Sequence, residues 1–400
     1  MQLPNTLICT VGTSLFYPNM TDRNLTSKYQ GNRPQDGSPE AADWELLECE
    51  GPRPNSEELK QILEELEKSY KNRMWSILAN RLVQLPSDIR LCGAEINSIS
   101  AMVRKKYLAE ARQRLILLVS ETSDGEAIGE ILKRYFEDPK CPIKFAQCDV
   151  ETVKGLQDQK PRIFKEQGLP NLVRLLGKHY RQWGNVAINA TGGYKAQIAL
   201  AVAFGQATGS PVYYKHERFD QIIRFPQVPF TIDLGLIEQH VRLWADLAKP
   251  GESFERAEVE QLLGNNQQLK EQIYTLLDVI EDGSEALYAL SALGHVYWEA
   301  FRSRNPQLTL EPTQVKERKG CRFSDHHYPD KFKQSVQRFY EAFPEYVSEC
   351  QSLPYDGQAA IRNGFRIQKD IQKDSQEDSQ EDSIIGEYLT EITSVRGSKS

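Results

Sequence analysis

Through roughly the first two hundred residues, short β-branched apolar runs alternate with longer segments whose apolar positions recur every three or four residues. "TLICTV" (6 to 11), "RLILLVS" (114 to 120), "IKFAQCDV" (143 to 150), "NVAIN" (185 to 189) and "PVYYKHE" (211 to 217) read as strands. Between them, "EAIGEILKRYFE" and "PNLVRLLGKHYRQW" carry the spacing of amphipathic helices. This alternation predicts an α/β fold, a Rossmann-like and mostly parallel sheet covered by helices on both faces. Ligands of such sheets bind beyond the carboxyl ends of the strands.

Two changes of pattern divide the chain. Residues 17–55 are rich in Asn, Gly, Pro and Asp and poor in aliphatics, and read as a surface insertion in a ligand-binding domain spanning 1–248. After the Pro-Gly pair at 250–251 the strands fade. "RAEVEQLLG", "LKEQIYTLLDVI" and "SEALYALSALGHVYWEAFRS" read as a helical linker domain over 253–304. Residues 305–400 form a third segment, with the polar tetrapeptide repeat "QKDIQKDSQEDSQEDS" at 368–383 read as a solvated loop or helix face.

Composition narrows the class. With 40% hydrophobic and 26% charged residues the chain reads as globular, and its net charge of −7 argues against wholesale coating of nucleic acid. An anionic ligand would have to be met by a local basic site. Seven cysteines, an odd number with no C-x-x-C pair, fit neither a disulfide framework nor a zinc ribbon and point to a reducing cytoplasm. No signal-like start is present, and no run approaches the roughly 18 apolar residues of a membrane helix, so no membrane association is expected.

Three strand ends share one style. "GTS" (Gly12, Thr13, Ser14) follows the first strand, "SETSDG" (Ser120 to Gly125) the second, and "ATGGYK" (Ala190 to Lys195) the run "NVAIN". Each places hydroxyls and glycine where a helix begins, where backbone N–H groups are unpaired and the helix dipole favours negative charge. Glycine lets backbone approach a phosphodiester closely, and Lys195 adds a full positive charge. Neither a Walker A loop nor G-x-G-x-x-G occurs at these junctions. Taken singly, each turn reads better as a helix cap; three on one sheet edge read as a ligand site.

These residues resemble a family. "TVGTSL", "LLVSETSDGEAIGEIL" and "INATGGYKAQIALAVAFGQATGSPVYY", within roughly residues 1–245, resemble the CARF domain of type III CRISPR antiviral defence proteins, in the subgroup that includes ring nucleases. The resemblance implies a homodimer binding a cyclic oligoadenylate, most often cyclic tetra-adenylate, across its two-fold axis. It implies Ser14 beside the reacting phosphate and Lys195 as the cation stabilising it. Gly12, Thr13, Thr191, Gly192, Gly193 and Tyr194 would form the surrounding cradle, and the strand-end reading adds Ser120 and Thr122 as ligand-binding candidates. No metal or other cofactor is implied, because the ribose 2′-hydroxyl attacks its own neighbouring phosphate. A pure sensor could use the same residues only to bind.

The helical linker is similar to the winged-helix-type extension that often follows this domain. It has no dense basic recognition helix, and the expectation for it is dimerisation or signal relay, with His295 a packed residue. In the last segment, Arg322 and His327 stand at the R-x-x-x-x-H spacing of HEPN ribonucleases, whose pair cleaves RNA without metal. Phe323 and Pro329 depart from that pattern. The alternative is a small RelE-like messenger-RNA interferase acting at the ribosome, with "GFRIQ" and "YLTEITSV" as strands. A ligand-responsive winged-helix transcription regulator without catalysis is the remaining expectation.

Overall fold

A computed structural model describes residues 3–21, 25–216, 221–227, 234–238, 240–249, 253–263, 267–282 and 285–306, together with the backbone of three strands beyond them. In chain order, β1 (Thr6–Thr10) is followed by α1 (Leu25–Lys28), α2 (Pro39–Glu50), α3 (Glu57–Lys71), α4 (Trp75–Leu82) and α5 (Gly93–Arg104). Then come β2 (Arg114–Ser120), α6 (Ser123–Glu137), β3 (Gln147–Val153), α7 (Pro161–Ile163), α8 (Leu169–Trp183), β4 (Val186–Asn189), α9 (Lys195–Thr208), β5 (Val212–Tyr214) and β6 (Ile223–Arg224). These six strands form one sheet in the order β3-β2-β1-β4-β5-β6, parallel except for β6.

The central strands β1, β2 and β4 of the predicted α/β fold are buried on both faces, and their period of two divides the core. Leu7 and Cys9 of β1, with Leu115, Leu117 and Val119 of β2, face one side, where α2 to α6 pack. Ile8, Ile116 and Leu118 face the other, under α8 and α9. The chain leaves β1 towards β2 and β3 on one face and returns to β4 and β5 on the other. The strand order therefore reverses between β1 and β4, the switch point at which such sheets hold their ligands.

Three expectations need correction. The third strand starts at Gln147 rather than residue 143, because β2 offers pairing only from Arg114 onward, and β3 is a polar edge strand whose signal is weak. Residues 17–55 are more than surface: Leu25, Tyr29, Trp44 and Leu47 are buried in the core, sparse apolar anchors hidden among polar turn residues. Strands do not fade after 250. α10 (Gly235–Glu238) and α11 (Val241–Leu247) lead into β7 (Phe254–Glu255), α12 (Arg256–Leu263), α13 (Gln267–Tyr274), β8 (Leu277–Asp282), β9 (Glu285–Leu290) and α14 (Ala292–Arg304).

The β7-α12-α13-β8-β9 order, with a three-stranded antiparallel sheet β7-β9-β8, is that of a winged helix. It is not separated from the first sheet: Met1–Leu308 form one compact unit and Thr309–Ser400 another. α14 seats the smaller module by placing Val296 and Ala300 in the core shared with α8 and α9. Its Glu299, buried, pairs with Arg181 and fills a notch at Gly177, where any Cβ would meet the carboxylate at 2.1 Å. His295 is buried against Arg174 at 3.1 Å and held well below its ordinary pKa by burial and that cation. It is a packed residue of this contact.

In the second unit, β10 (Glu349–Ser352), β11 (Arg362–Gln368) and β12 (Ile384–Glu391) form an antiparallel sheet. Arg322, His327 and residues 369–383 of the repeat lie outside the described residues.

Candidate functional site

The loops after β1 and β4 meet at the switch point. A Cβ on Gly12 would lie 2.5 Å from the Gly193 nitrogen, and one on Gly192 would lie 2.7 Å from the Gly12 nitrogen. Backbone thus touches backbone with no side chain between, and Gly193 also takes a φ of +100° that other residues avoid. Thr10 locks the turn from below, its hydroxyl donating to the Gly192 carbonyl at 2.6 Å. Thr191 donates to Asn189 Oδ1 at 2.6 Å and accepts the Lys215 N–H at 3.1 Å, which ties the turn to the end of β5.

α9 starts directly after this turn, and its first residue is Lys195. The side chain is exposed, and no described residue forms an ion pair or hydrogen bond with it. No side chain caps the helix from Tyr194. Instead Gln197, fully buried, reaches back to accept the Tyr194 N–H at 2.5 Å. Its Nε2 is buried without a partner among the described residues. A cation at the amino end of a helix opposes the dipole by about 0.3–1 kcal/mol, so helix stability does not account for Lys195.

On the β1 side, Thr13 is exposed and Ser14 half-buried. Ser14 Oγ accepts the Ala94 N–H at 2.9 Å and donates to Glu95 Oε2 at 3.2 Å, while Glu95 Oε1 accepts the Gly12 N–H at 2.8 Å. Glu95 is fully buried, and burial raises its pKa above the ordinary carboxylate value against the pull of these hydrogen bonds. A cleft opens beside Ser14, lined also by Tyr17, Arg90, Asn97, Lys215 and His216. Asn19 shapes its wall by donating to the carbonyls of Ser14 and Arg90, both at 2.9 Å.

The third junction is used differently. Ser120 and Thr122 hydroxyls lie 2.9 Å apart, and Thr122 Oγ1 accepts the Gly125 N–H at 3.0 Å as the cap of α6. Ser120 is buried, with Gly125 packed onto it: a Cβ there would lie 2.3 Å from Ser120 Oγ. Both hydroxyls serve the helix start. The structure therefore brings Gly12, Thr13, Ser14, Thr191, Gly192, Gly193 and the start of α9 to one crevice, and places Ser120 and Thr122 one strand away, at the end of β2.

Residues 90–228 match a family model described as CRISPR-associated protein (Cas_APE2256). The match supports a CRISPR-associated protein. It spans α5 to β6 and takes in Glu95, the β2 junction and the Thr191–Lys195 turn, but not the β1 loop.

Glu95, Asn19, Gln197 and the cleft residues Arg90, Lys215 and His216 were not foreseen from the sequence. Glu95 sits in "GAEINS", an ordinary helix start whose contact partner lies eighty residues away. Among the described residues no group of three His, Cys, Asp or Glu is placed to hold a metal ion, and no helix is long and apolar enough to cross a membrane.

Proposed function

We propose that the β1/β4 crevice of this CRISPR-associated protein binds a cyclic oligoadenylate, cyclic tetra-adenylate in the first instance, across the two-fold axis of a homodimer. The observation that carries the reading is Lys195. It is an exposed cation at the start of α9, directly after a turn where three glycines bring two strand ends into backbone contact. A ring of four identical nucleotides can itself be two-fold symmetric and meet two copies of this cradle. The match to a CRISPR-associated family, which covers Glu95 and the Thr191–Lys195 turn, agrees with a ligand of that defence system.

Cleavage of the ring would be an internal transesterification. The ribose 2′-hydroxyl gives its proton to water as its oxygen attacks the adjacent phosphorus, the bond from phosphorus to the 5′-oxygen breaks, and the 5′-oxygen takes a proton from water. The product end is a 2′,3′-cyclic phosphate. Lys195 and the α9 N–H groups would stabilise the charge that develops on phosphorus, and the cradle would hold the nucleophile in line. Ser14 is already committed to Ala94 and Glu95, so its part is to shape the β1 loop unless its hydroxyl rotates onto the ligand.

A second reading concerns Thr309–Ser400, as a ligand-activated ribonuclease. Its antiparallel sheet β10-β11-β12 suits a RelE-like interferase better than a helical HEPN domain. Both readings are tested by incubating labelled cyclic tetra-adenylate and a generic RNA with the full chain in parallel. Binding of the ring is expected, with Lys195→Ala weakening it at least about ten-fold, the worth of one charge-assisted hydrogen bond. Ring cleavage, if the crevice is catalytic, is lost in Lys195→Ala and kept in His327→Ala. A wild-type chain that does not bind the ring overturns the proposal.

A further inference from the structure

The proposed reading leaves Glu95 unexplained. Its side chain leaves the first turn of α5 and ends between the two glycine turns, where a Cβ on Gly192 would sit 2.0 Å from its Oε1. Its Oε1 accepts the Gly12 N–H at 2.8 Å and lies against the Gly192 backbone, so the carboxyl backs directly onto both glycine turns. We propose that Glu95 is the positioning residue of the crevice and gates it by its proton: protonated, it admits the anionic ring, and ionised, it opposes it. The inference rests on the cyclic oligoadenylate reading above.

The geometry gives it both tasks. Through the Gly12 N–H and the Ser14 hydroxyl, Glu95 turns the β1 loop inward, and Ser14 in turn accepts the Ala94 N–H at the start of α5. The Gly12 N–H and the Ser14 hydroxyl are thereby turned toward an internal carboxyl, leaving Thr13 and the α9 side to face the ligand. All of these hydrogen bonds come from neutral donors. Burial is the leading cause of the raised pKa, and hydrogen bonds from the Gly12 N–H, its own N–H and Ser14 oppose it.

The groups that face Glu95 set the pH dependence. From β1 comes Cys9, a buried thiol kept protonated by burial and by Glu95 itself. The β1 loop contributes Ser14, and the β4 turn contributes only backbone at Gly192. Along the cleft beside Ser14 stand Arg90, Lys215 and His216. An anion bound over the glycines raises the Glu95 pKa further, so the complex holds a proton that the free protein has begun to lose. Affinity is full at low pH and falls as pH rises through a window that opens above the ordinary carboxylate range.

Calorimetric titration of cyclic tetra-adenylate into the full chain, at several pH values and in two buffers of different ionisation heat, tests this. Wild type should take up a proton on binding and weaken by up to about ten-fold per pH unit across the window. Glu95→Gln keeps an acceptor for Gly12 and loses the charge. It should bind more tightly at the upper end of the window, with no pH dependence and no proton uptake. Wild type binding without proton uptake overturns the proposal, and that arm needs no variant to fold. Uptake that persists in Glu95→Gln comes from another group and overturns it too. No binding of the ring at any pH overturns the binding reading itself, a different result from pH-independent binding.

Discussion

At the ends of β2 and β4 the chain solves the same problem in two ways. Both strands run into a polar, glycine-bearing turn and then a helix of similar length, "SETSDG" into α6 and "ATGGYK" into α9. At the first turn Thr122 points inward, caps the helix, and is itself held by Ser120. At the second no side chain caps the helix, and a lysine stands where the dipole would prefer an acid. Asp124 and Glu126 occupy the first turn of α6, in keeping with the dipole. The difference teaches that a hydroxyl-rich turn is a cap when its oxygens face its own amides. It becomes a candidate anion site when those amides stay open and the charge beside them fits nothing in the fold.

The largest expected effect breaks the β4 turn outright. In Gly192→Ala the new methyl would meet Glu95 Oε1 at 2.0 Å and the Gly12 nitrogen at 2.7 Å, one a buried carboxylate and the other backbone. Neither can yield without separating β1 from β4. Unfolding in denaturant should show a loss of about 3 kcal/mol, the upper range for overpacking, together with loss of ring binding. A loss below about 1 kcal/mol would mean that the two turns are not pressed together as the structure has them.

The two turns also mark how far the sequence could be read. The strands 114–120 and 185–189, the helix at 126–137 and the crevice glycines were legible, because period-two burial and glycine before a helix are local signals. Which hydroxyls cap and which stay open was not, since that depends on side-chain direction at Thr122 and Tyr194. Glu95 was invisible for another reason. It acts on Gly12 and Ser14 from across the sheet edge, and nothing in "GAEINS" points there. The winged module hid its strands because "TLLDVI" and "EALYAL" are short, apolar and open to either reading until a partner strand exists.

A smaller effect sharpens the comparison from the β2 side. Thr122→Ala removes the oxygen that accepts the Gly125 N–H and should cost about 1 kcal/mol of stability, the usual worth of such a cap. Ring affinity should stay within about two-fold of wild type, because the side chain serves α6 and not the crevice; the bound is the effect of less than half a kcal/mol. Equilibrium unfolding and a binding titration on the same preparation read both numbers. A large fall in affinity with stability unchanged would move this turn into the ligand site, as the reading of the three strand ends expected.

The smallest effect is the most discriminating, because its sign is opposite at the two turns. Lys195→Ala deletes a cation from the positive end of α9 and replaces it with the residue of highest helix propensity. If the lysine is there for a ligand, its loss should raise stability in the absence of ligand by about 0.3–0.5 kcal/mol while ring binding weakens. A residue kept for the fold would do the reverse. Thermal unfolding of the variant at low ionic strength, where the dipole term is least screened, gives the sign. With saturating ring present the order should invert, since only the wild type would then gain the full stabilisation that a bound ligand confers on the native state.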